Sequence, residues 1–350
     1  MTLDPVFRSK EAVRQIQEDG FLQNMADSLR AHHDAIRHIH ALMPEVLDGC
    51  YLSPTDDEPE MEFLQTHFFL VLFHSLFKTL GCSPKRLTFY ARANFCIKGI
   101  VTAGDNIFDD EAKKLLPLAV KNAGARFESI LQMLCFDRLI HRVCEDAVAD
   151  RWITREKARA FHRALLDRLA HIGTLEGSEE NGVDDILPVN EMIEKVHRVR
   201  GGALFSLAFV APGVIEEGET LARFREAEKA IRDLGTAFQI VDDLTDFEFD
   251  LTRKSHNILF GAAYHSEDAT ARSAIRDLLN GKKPERGMVE GVFAECAQLV
   301  LARARAEGRR AFDRLARLGF WFPPERSDSL VHAIVGIEGV ARIESLTSGS

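Results

Sequence analysis

Residues 221–250 read LARFREAEKAIRDLGTAFQIVDDLTDFEFD, and this stretch decides the fold class. Apolar side chains recur there every three or four positions, at Leu221, Phe224, Ala227, Ile231, Leu234, Phe238 and Val241. That spacing predicts one apolar stripe of a helix, which ends in acidic residues. Most of the remaining chain has the same period and no sustained alternation of Val, Ile and Thr. The sequence therefore predicts an all-α protein.

The composition is that of a globular chain of ordinary hydrophobicity. Its 350 residues are 46% hydrophobic and 28% charged, which allows a large core. No Pro/Ser/Gly-rich linker divides the sequence, so we expect a single domain over residues 1–350, with a flexible tail at 346–350.

Charge and hydropathy exclude several classes of partner. A formal charge of -10 argues against a nucleic-acid surface, which needs an excess of Lys and Arg. The most apolar stretch, residues 63–77, is too short and too often interrupted by polar residues to predict a transmembrane segment. The N-terminus lacks the apolar run of a signal peptide, and the six cysteines form no CxxC pair. These features predict a cytoplasmic protein.

Two acidic clusters stand at the ends of apolar helical runs. Asp242 and Asp246 are four residues apart, as are Asp105 and Asp109 in the sequence GDNIFDDE at 104–111. On a helix each pair places two carboxylates on one face, where like charges repel. Divalent cations such as Mg²⁺ would relieve that repulsion. Either cluster alone would also fit a solvated acidic face, but two such clusters favour a shared metal site.

Several motifs resemble those of the trans-prenyltransferase and terpene synthase superfamily, the class I isoprenoid synthases. GTAFQIVDDLTDFEFD at 235–250 is similar to the family's second aspartate-rich motif, and GDNIFDDE to the first, DDxxD, with Asn106 replacing the second Asp. RGGALF at 200–205 resembles the KT(G/A)xLF segment, with Arg200 in place of lysine. Lys254 resembles the lysine of the GK element. The resemblance spans residues 60–260.

This resemblance implies a helical bundle of the isoprenoid synthase type around a central apolar cavity. It also implies a prenyl diphosphate substrate, a homodimer and three Mg²⁺ ions. The catalytic pairs would be Asp105/Asp109 and Asp242/Asp246, with Asp110 and Asp243 as further metal ligands. The implied diphosphate ligands are Arg200, Lys254, Lys113 and Lys114, and the candidate cavity residues are Phe69, Phe73, Phe108, Phe205, Phe238 and Gln239.

One departure from the family pattern bears on the reaction. Chain-elongating members carry a GGKRxRP-like segment that binds the diphosphate of the acceptor, isopentenyl diphosphate. The corresponding residues 64–70 read LQTHFFL, without Lys or Arg, and the nearest basic residues are Lys85 and Arg86. We therefore expect a terpene synthase.

Two alternatives stay open. The first is a trans-polyprenyl diphosphate synthase or prenyltransferase with an unusual acceptor site, which would depend on isopentenyl diphosphate. The second is a non-catalytic partner subunit. Asn106 and the missing acceptor segment motivate it, whereas the retained aspartates oppose it.

Overall fold

The structure is a computed structural model that describes residues 25–52, 60–108, 112–120, 124–322, 327–328 and 330–331. These residues divide into two units. The first unit contains residues 25–165 and 207–225, and the second contains 166–206 and 226–331.

The first unit is built from long helices. They are α1 (Ala26–Val46), α2 (Glu60–Thr79), α3 (Pro84–Phe108) and α4 (Ala125–Ala149). α3 and α4 approach closely at Gly99, where an added Cβ would lie 2.2 Å from the ring of Phe136. The absence of a side chain at Gly99 thus allows the Phe136 ring to pack against α3.

Three helices contribute residues to both units. They are α5 (Arg155–Ser178), α6 (Val189–Ile215) and α7 (Gly218–Thr245). Within α6, residues Ile193–Gly202 form a π-helix and Leu207–Phe209 a turn of 3₁₀-helix. π-helical turns are rare and often occur at functional sites. This one contains Arg200, a residue that the sequence singled out.

The second unit also contains α8 (Phe247–Arg253), α9 (Ile258–Tyr264), α10 (Ala269–Leu279) and α11 (Ala294–Arg317). Local chemistry defines their ends. The Asn257 side chain accepts a hydrogen bond from the backbone N–H of Leu259 and caps α9, and Asp268 caps α10 in the same way. Lys254 ends α8 in the left-handed region, with φ 56°.

Each unit has its own apolar core. In the first unit Phe77 packs against Phe209 and Phe224, with ring centroids 5.1 and 5.0 Å apart. In the second unit Phe247 packs against Phe260 and Phe293 at 5.3 and 5.6 Å. All six rings are at most 2% exposed, so aromatic burial stabilises both units.

The helices confirm the predicted all-α class. Among the described residues the β-type pairing consists of an isolated bridge between Tyr51 and Leu118. One described helix, α6, is long and apolar enough to cross a membrane by length and composition, but 61% of its most apolar window is buried, as in a core helix. The single-domain organisation stays a prediction.

Candidate active site

The C-terminal end of α7 carries the second acidic cluster. Asp242 and Asp246 are both exposed. The backbone N–H of Asp246 donates to the carbonyl of Asp242 at 2.9 Å, which keeps the two residues one helical turn apart. The structure therefore presents both carboxylates on one exposed face at the end of a mostly buried helix.

Asp243 points in a different direction from these two acids. It is 2% exposed, and its Oδ2 lies 2.9 Å from Nε2 of His197. The same oxygen accepts a hydrogen bond of 2.7 Å from the backbone N–H of Ile258. Asp243 thus ties α7 both to the π-helical segment and to the start of α9. Its role as a metal ligand stays a prediction.

Asp250, in α8, is the next aspartate after Asp246 in the chain. Its Oδ2 accepts a hydrogen bond of 2.8 Å from Asn257, which also donates to the carbonyl of Asp243 at 2.6 Å. Burial and the neighbouring negative charges, above all that of Asp243, raise the pKa of Asp250 to about 9. Burial first, and repulsion by the neighbouring aspartates second, therefore favour the protonated form of Asp250 at neutral pH.

The carboxylates at the C-terminal end of α7 are suitable ligands for Mg²⁺. This ion prefers oxygen ligands and is usually bound by one or two carboxylates together with substrate phosphates. Asp242 and Asp246 supply two such carboxylates. No group of three or more His, Cys, Asp or Glu side chains within the described ranges forms a complete metal cage. Mg²⁺ held by the carboxylates of Asp242 and Asp246 would keep ligand positions open for phosphate oxygens.

Arg200 lies in the π-helix and is already paired. Its Nε donates to Glu176 at 2.6 Å, and its Nη2 lies 2.7 Å from Glu179. Burial alone would lower the pKa of Arg200, but these two carboxylates raise it, so the guanidinium stays charged. The structure therefore places this predicted diphosphate ligand between two acids.

Lys254 is an exposed residue at the C-terminal end of α8. Its carbonyl accepts a hydrogen bond of 2.8 Å from the backbone N–H of Val183. An added Cβ at Gly182 would lie 3.0 Å from Cβ of Lys254, so the two backbones are in close contact. The main chain of Lys254 is therefore fixed while its side chain faces solvent.

The π-helical segment crosses α7 at two glycines. A Cβ on Gly201 would lie 2.4 Å from the carbonyl oxygen of Gly235, and a Cβ on Gly235 would lie 2.3 Å from the carbonyl oxygen of Gly201. Beside this crossing, the rings of Phe205 and Phe238 are 5.0 Å apart. Gln239 Nε2 lies 3.4 Å from Asp242 Oδ2. These three predicted cavity residues thus lie together near the second acidic cluster.

The first acidic motif belongs to the first unit. Asp105 is exposed near the end of α3, whereas Asp109 and Asp110 lie outside the described residues. Asn106 is 2% exposed, and its amide makes two hydrogen bonds to the backbone of Lys113. Its Nδ2 donates to the Lys113 carbonyl at 2.7 Å, and its Oδ1 accepts from the Lys113 N–H at 3.0 Å.

The double hydrogen bond explains the unusual Asn in this motif. An amide both donates and accepts, whereas an ionised Asp only accepts and would repel the Lys113 carbonyl. Asn106 therefore fixes the backbone of Lys113 beside the end of α3. The neighbouring Lys114 pairs with Glu128 at 2.5 Å.

The remaining candidates of the first unit lie on α2 and α3. Phe69 and Phe73 are neighbours on α2, with ring centroids 6.2 Å apart, and Phe108 is the last residue of α3. Arg86 pairs with Glu216, which is 2% exposed and also accepts a hydrogen bond of 2.7 Å from the Tyr90 hydroxyl. The Arg86 charge therefore stabilises a buried acid.

Lys85 is also paired, because its Nζ lies 3.5 Å from Asp150. A different cation, Lys98 on α3, reaches the segment without basic residues at 64–70. Its Nζ donates to the carbonyl of Thr66 and lies 3.3 Å from Nδ1 of His67. Sequence reasoning missed this residue, because Lys98 is more than 30 positions away in the chain.

Sequence reasoning also missed the polar groups that support the second cluster. Glu179, His197, His256 and Asn257 occur in no recognised motif, and each is at least half-buried. Glu179 and His256, for example, are 77 residues apart in sequence. The spacing of Glu176 and Glu179, three residues apart, offered a weak signal.

The comparisons with known proteins bear on the fold. No family model and no curated protein matches the chain. Solved structures do match. A polyprenyl synthase from Roseobacter denitrificans is 18% identical, with a TM-score of 0.54, over 91% of this chain and 99% of that chain. The chain has the fold of the polyprenyl synthases.

Two further structures agree. A geranylgeranyl pyrophosphate synthase from Bacteroides thetaiotaomicron is 16% identical, with a TM-score of 0.55, over 94% of this chain and 99% of that chain. A polyprenyl synthase from Caulobacter crescentus, complexed with calcium and isoprenyl diphosphate, is 13% identical, with a TM-score of 0.52, over 89% and 96%. The isoprenoid synthase fold predicted from the motifs is thus confirmed.

Proposed function

We propose that this protein is an enzyme that binds a prenyl diphosphate through divalent cations and transfers its prenyl group. The observation that carries the proposal is the pair of exposed carboxylates, Asp242 and Asp246, at the end of α7 in a chain with the polyprenyl synthase fold. Two like charges one turn apart are costly alone and useful beside a cation.

The residues of the second unit would have distinct roles in binding the metal, the diphosphate and the prenyl chain. Asp242 and Asp246 would hold Mg²⁺, which when bound would neutralise the diphosphate and make it a better leaving group. Lys254, which is exposed at the end of α8, would add a positive charge. The Phe205 ring, which packs against the buried Phe238 ring beside Gln239, would suit a prenyl chain and an electron-deficient carbon.

We favour a trans-polyprenyl diphosphate synthase or related prenyltransferase over a terpene synthase. The polyprenyl synthases with the same fold support this choice, which reverses the preference drawn from the sequence. Lys98 supports it as well, because it brings a positive charge to Thr66 and His67, in the segment where the acceptor diphosphate was expected. An acceptor site without Lys or Arg on α2 itself is therefore chemically reasonable.

The test is to incubate the protein and Mg²⁺ with geranyl, farnesyl or geranylgeranyl diphosphate, each with and without isopentenyl diphosphate. Products are identified by mass spectrometry. A prenyltransferase that uses this acceptor gives longer diphosphates, and only when isopentenyl diphosphate is present. Hydrocarbons or alcohols formed without it would instead support the terpene synthase.

A variant of Lys98 tests directly whether this residue binds the acceptor diphosphate. Lys98→Gln should raise the KM for isopentenyl diphosphate more than the KM for the allylic diphosphate. Equal effects on both substrates would contradict a role of Lys98 in acceptor binding. If the protein turns over no allylic diphosphate in any mixture, this result would favour the alternative that the chain is a non-catalytic partner subunit.

A further inference from the structure

The guanidinium of Arg200 is already paired with two acids. Its guanidinium is flanked by the carboxylates of Glu176 and Glu179, at 2.6 and 2.7 Å. One positive charge therefore faces two negative charges. An additional anion placed directly on this guanidinium would have to displace a carboxylate or share the arginine with it, and both are unfavourable.

Glu179 connects Arg200 to the loop after α8. Its Oε1 accepts a hydrogen bond of 2.8 Å from Nδ1 of His256, and its Oε2 accepts one of 3.1 Å from the His256 backbone N–H. Burial alone would raise the pKa of Glu179, but these bonds and the charge of Arg200 lower it to about 2. Glu179 is therefore an ionised acid that clamps both the side chain and the backbone of His256.

His256, which Glu179 holds by two hydrogen bonds, lies two positions after Lys254. Lys254 has the left-handed conformation, with φ 56° and ψ 37°, which is uncommon for a residue other than glycine and must be held by its surroundings. The hydrogen bond from Val183 to its carbonyl, and the clamp on His256, hold the chain on both sides.

The Lys254 side chain contrasts with that of Arg200. It is exposed, and its ammonium group makes no ion pair with any residue that the structure describes. A lysine held by its backbone and not neutralised by a carboxylate is suited to bind an incoming anion. The charge of Lys254 is therefore available to a ligand.

We propose that Arg200 does not bind the diphosphate itself but acts as a positioning residue, which through Glu179 and His256 fixes the loop that presents Lys254. The inference rests on the proposed function for the identity of the anion. Glu179 would thus influence the reaction through His256 and Lys254, without contacting the substrate.

The two roles of Arg200 predict opposite effects of Glu179→Gln. If Arg200 is a direct ligand, this substitution removes a competing carboxylate and one negative charge, so anion binding is unchanged or tighter. If Arg200 is a positioning residue, the clamp on His256 is weakened and binding becomes weaker. Loss of such a supporting contact commonly costs about 10-fold to 100-fold in affinity.

The experiment titrates inorganic pyrophosphate into the protein by calorimetry at saturating Mg²⁺. Glu179→Gln and Arg200→Lys should each weaken binding by about tenfold or more, because lysine keeps the charge but cannot bridge two carboxylates. Lys254→Gln should weaken it as well. Combining Glu179→Gln with Lys254→Gln should add little to Lys254→Gln alone, since both changes remove the same interaction.

Arg168→Lys is the matched control. Arg168 is also half-buried in the second unit and pairs with Glu228 at 2.6 Å, but it makes no hydrogen bond or ion pair with the described residues 254–257. Its substitution should leave pyrophosphate affinity unchanged. Tighter or unchanged binding by Glu179→Gln, or full additivity with Lys254→Gln, would overturn the proposal.

Hydrogen exchange separates this inference from the proposed function. Peptides covering residues 254–258 should exchange faster in Glu179→Gln than in the wild type, while Arg168→Lys leaves them unchanged. Unaltered exchange in Glu179→Gln would overturn the positioning role. Absence of pyrophosphate binding by the wild-type protein would contradict the proposed function instead, and the exchange result would still decide whether Glu179 holds the loop.

Discussion

The crossing of the π-helical segment and α7 makes a sharp prediction about Gly235→Ala. The new Cβ would lie 2.3 Å from the carbonyl oxygen of Gly201 and 2.9 Å from Cβ of Phe205. Non-bonded atoms prefer separations of about 3.5 Å or more, so the two backbones must move apart by roughly 1 Å. Neither contact is the end of a flexible side chain that could turn away.

The energetic result is the balance of two terms. Overpacking a buried contact costs about 1–3 kcal/mol, and the backbone-to-backbone clash puts Gly235→Ala near the upper end. The higher helix propensity of alanine returns about 1 kcal/mol. A net loss of about 2 kcal/mol lowers the melting temperature by roughly 3 °C, because 350 residues at about 2.1 cal/mol/K each give an unfolding entropy of about 0.7 kcal/mol/K.

Gly173→Ala is the matched substitution. Gly173 lies within α5, and an added Cβ there would meet no atom within 4 Å. This change should raise the free energy of unfolding by about 0.5–1 kcal/mol through helix propensity alone. Thermal unfolding followed by circular dichroism measures both variants. A Gly235→Ala protein as stable as Gly173→Ala would refute the close crossing.

Three further predictions follow from single contacts. Asn106→Asp should destabilise the protein by about 1–3 kcal/mol in thermal unfolding at pH 7, because the Lys113 carbonyl then faces a carboxylate; wild-type stability would contradict this. Asp246→Asn should weaken Mg²⁺ binding in the presence of pyrophosphate by about tenfold or more, measured by calorimetry, since a charged oxygen ligand is lost; unchanged affinity would rule out Asp246 as a ligand. Glu179, whose pKa is lowered to about 2, contributes stability that is present above its ordinary pKa of 4.5 and is lost as the pH falls towards 2. Urea unfolding should therefore show Glu179→Gln to be less stable than the wild type at pH 7 and nearly equal to it near pH 2, whereas a constant difference would contradict the shift.

The sequence predicted the features that depend on neighbours in the chain. The apolar stripe from Leu221 to Val241 is a helix, and Asp242 and Asp246 are one turn apart at its end. Helical periodicity alone fixes such relations. The motifs likewise predicted the isoprenoid synthase fold, which the solved structures confirm.

The supporting contacts could not be predicted in this way. Whether Arg200 meets a substrate or Glu179 depends on packing between segments far apart in sequence. The π-helical turn that carries Arg200 has no recognised sequence signature, and it changes which residues share a face. Asn106 was interpreted as a loss within the acidic motif, but its amide makes two backbone hydrogen bonds that an aspartate could not make.

The choice between a prenyltransferase and a terpene synthase was the hardest to make from the sequence. The segment at 64–70 lacks basic residues, which favoured a terpene synthase. Lys98 reaches this segment from the neighbouring helix α3, a relation that only the packing of α2 and α3 reveals.

The most direct test of the metal-dependent site measures pyrophosphate release from farnesyl diphosphate, with isopentenyl diphosphate present, across a Mg²⁺ titration. Release should require Mg²⁺ and should fall by about 100-fold or more in the variant with both Asp242→Asn and Asp246→Asn, because the metal supplies several kcal/mol of charge stabilisation. Circular dichroism must show that this variant keeps its helices. Release that is independent of Mg²⁺, or undiminished in the folded double variant, would contradict a metal-dependent site at Asp242 and Asp246.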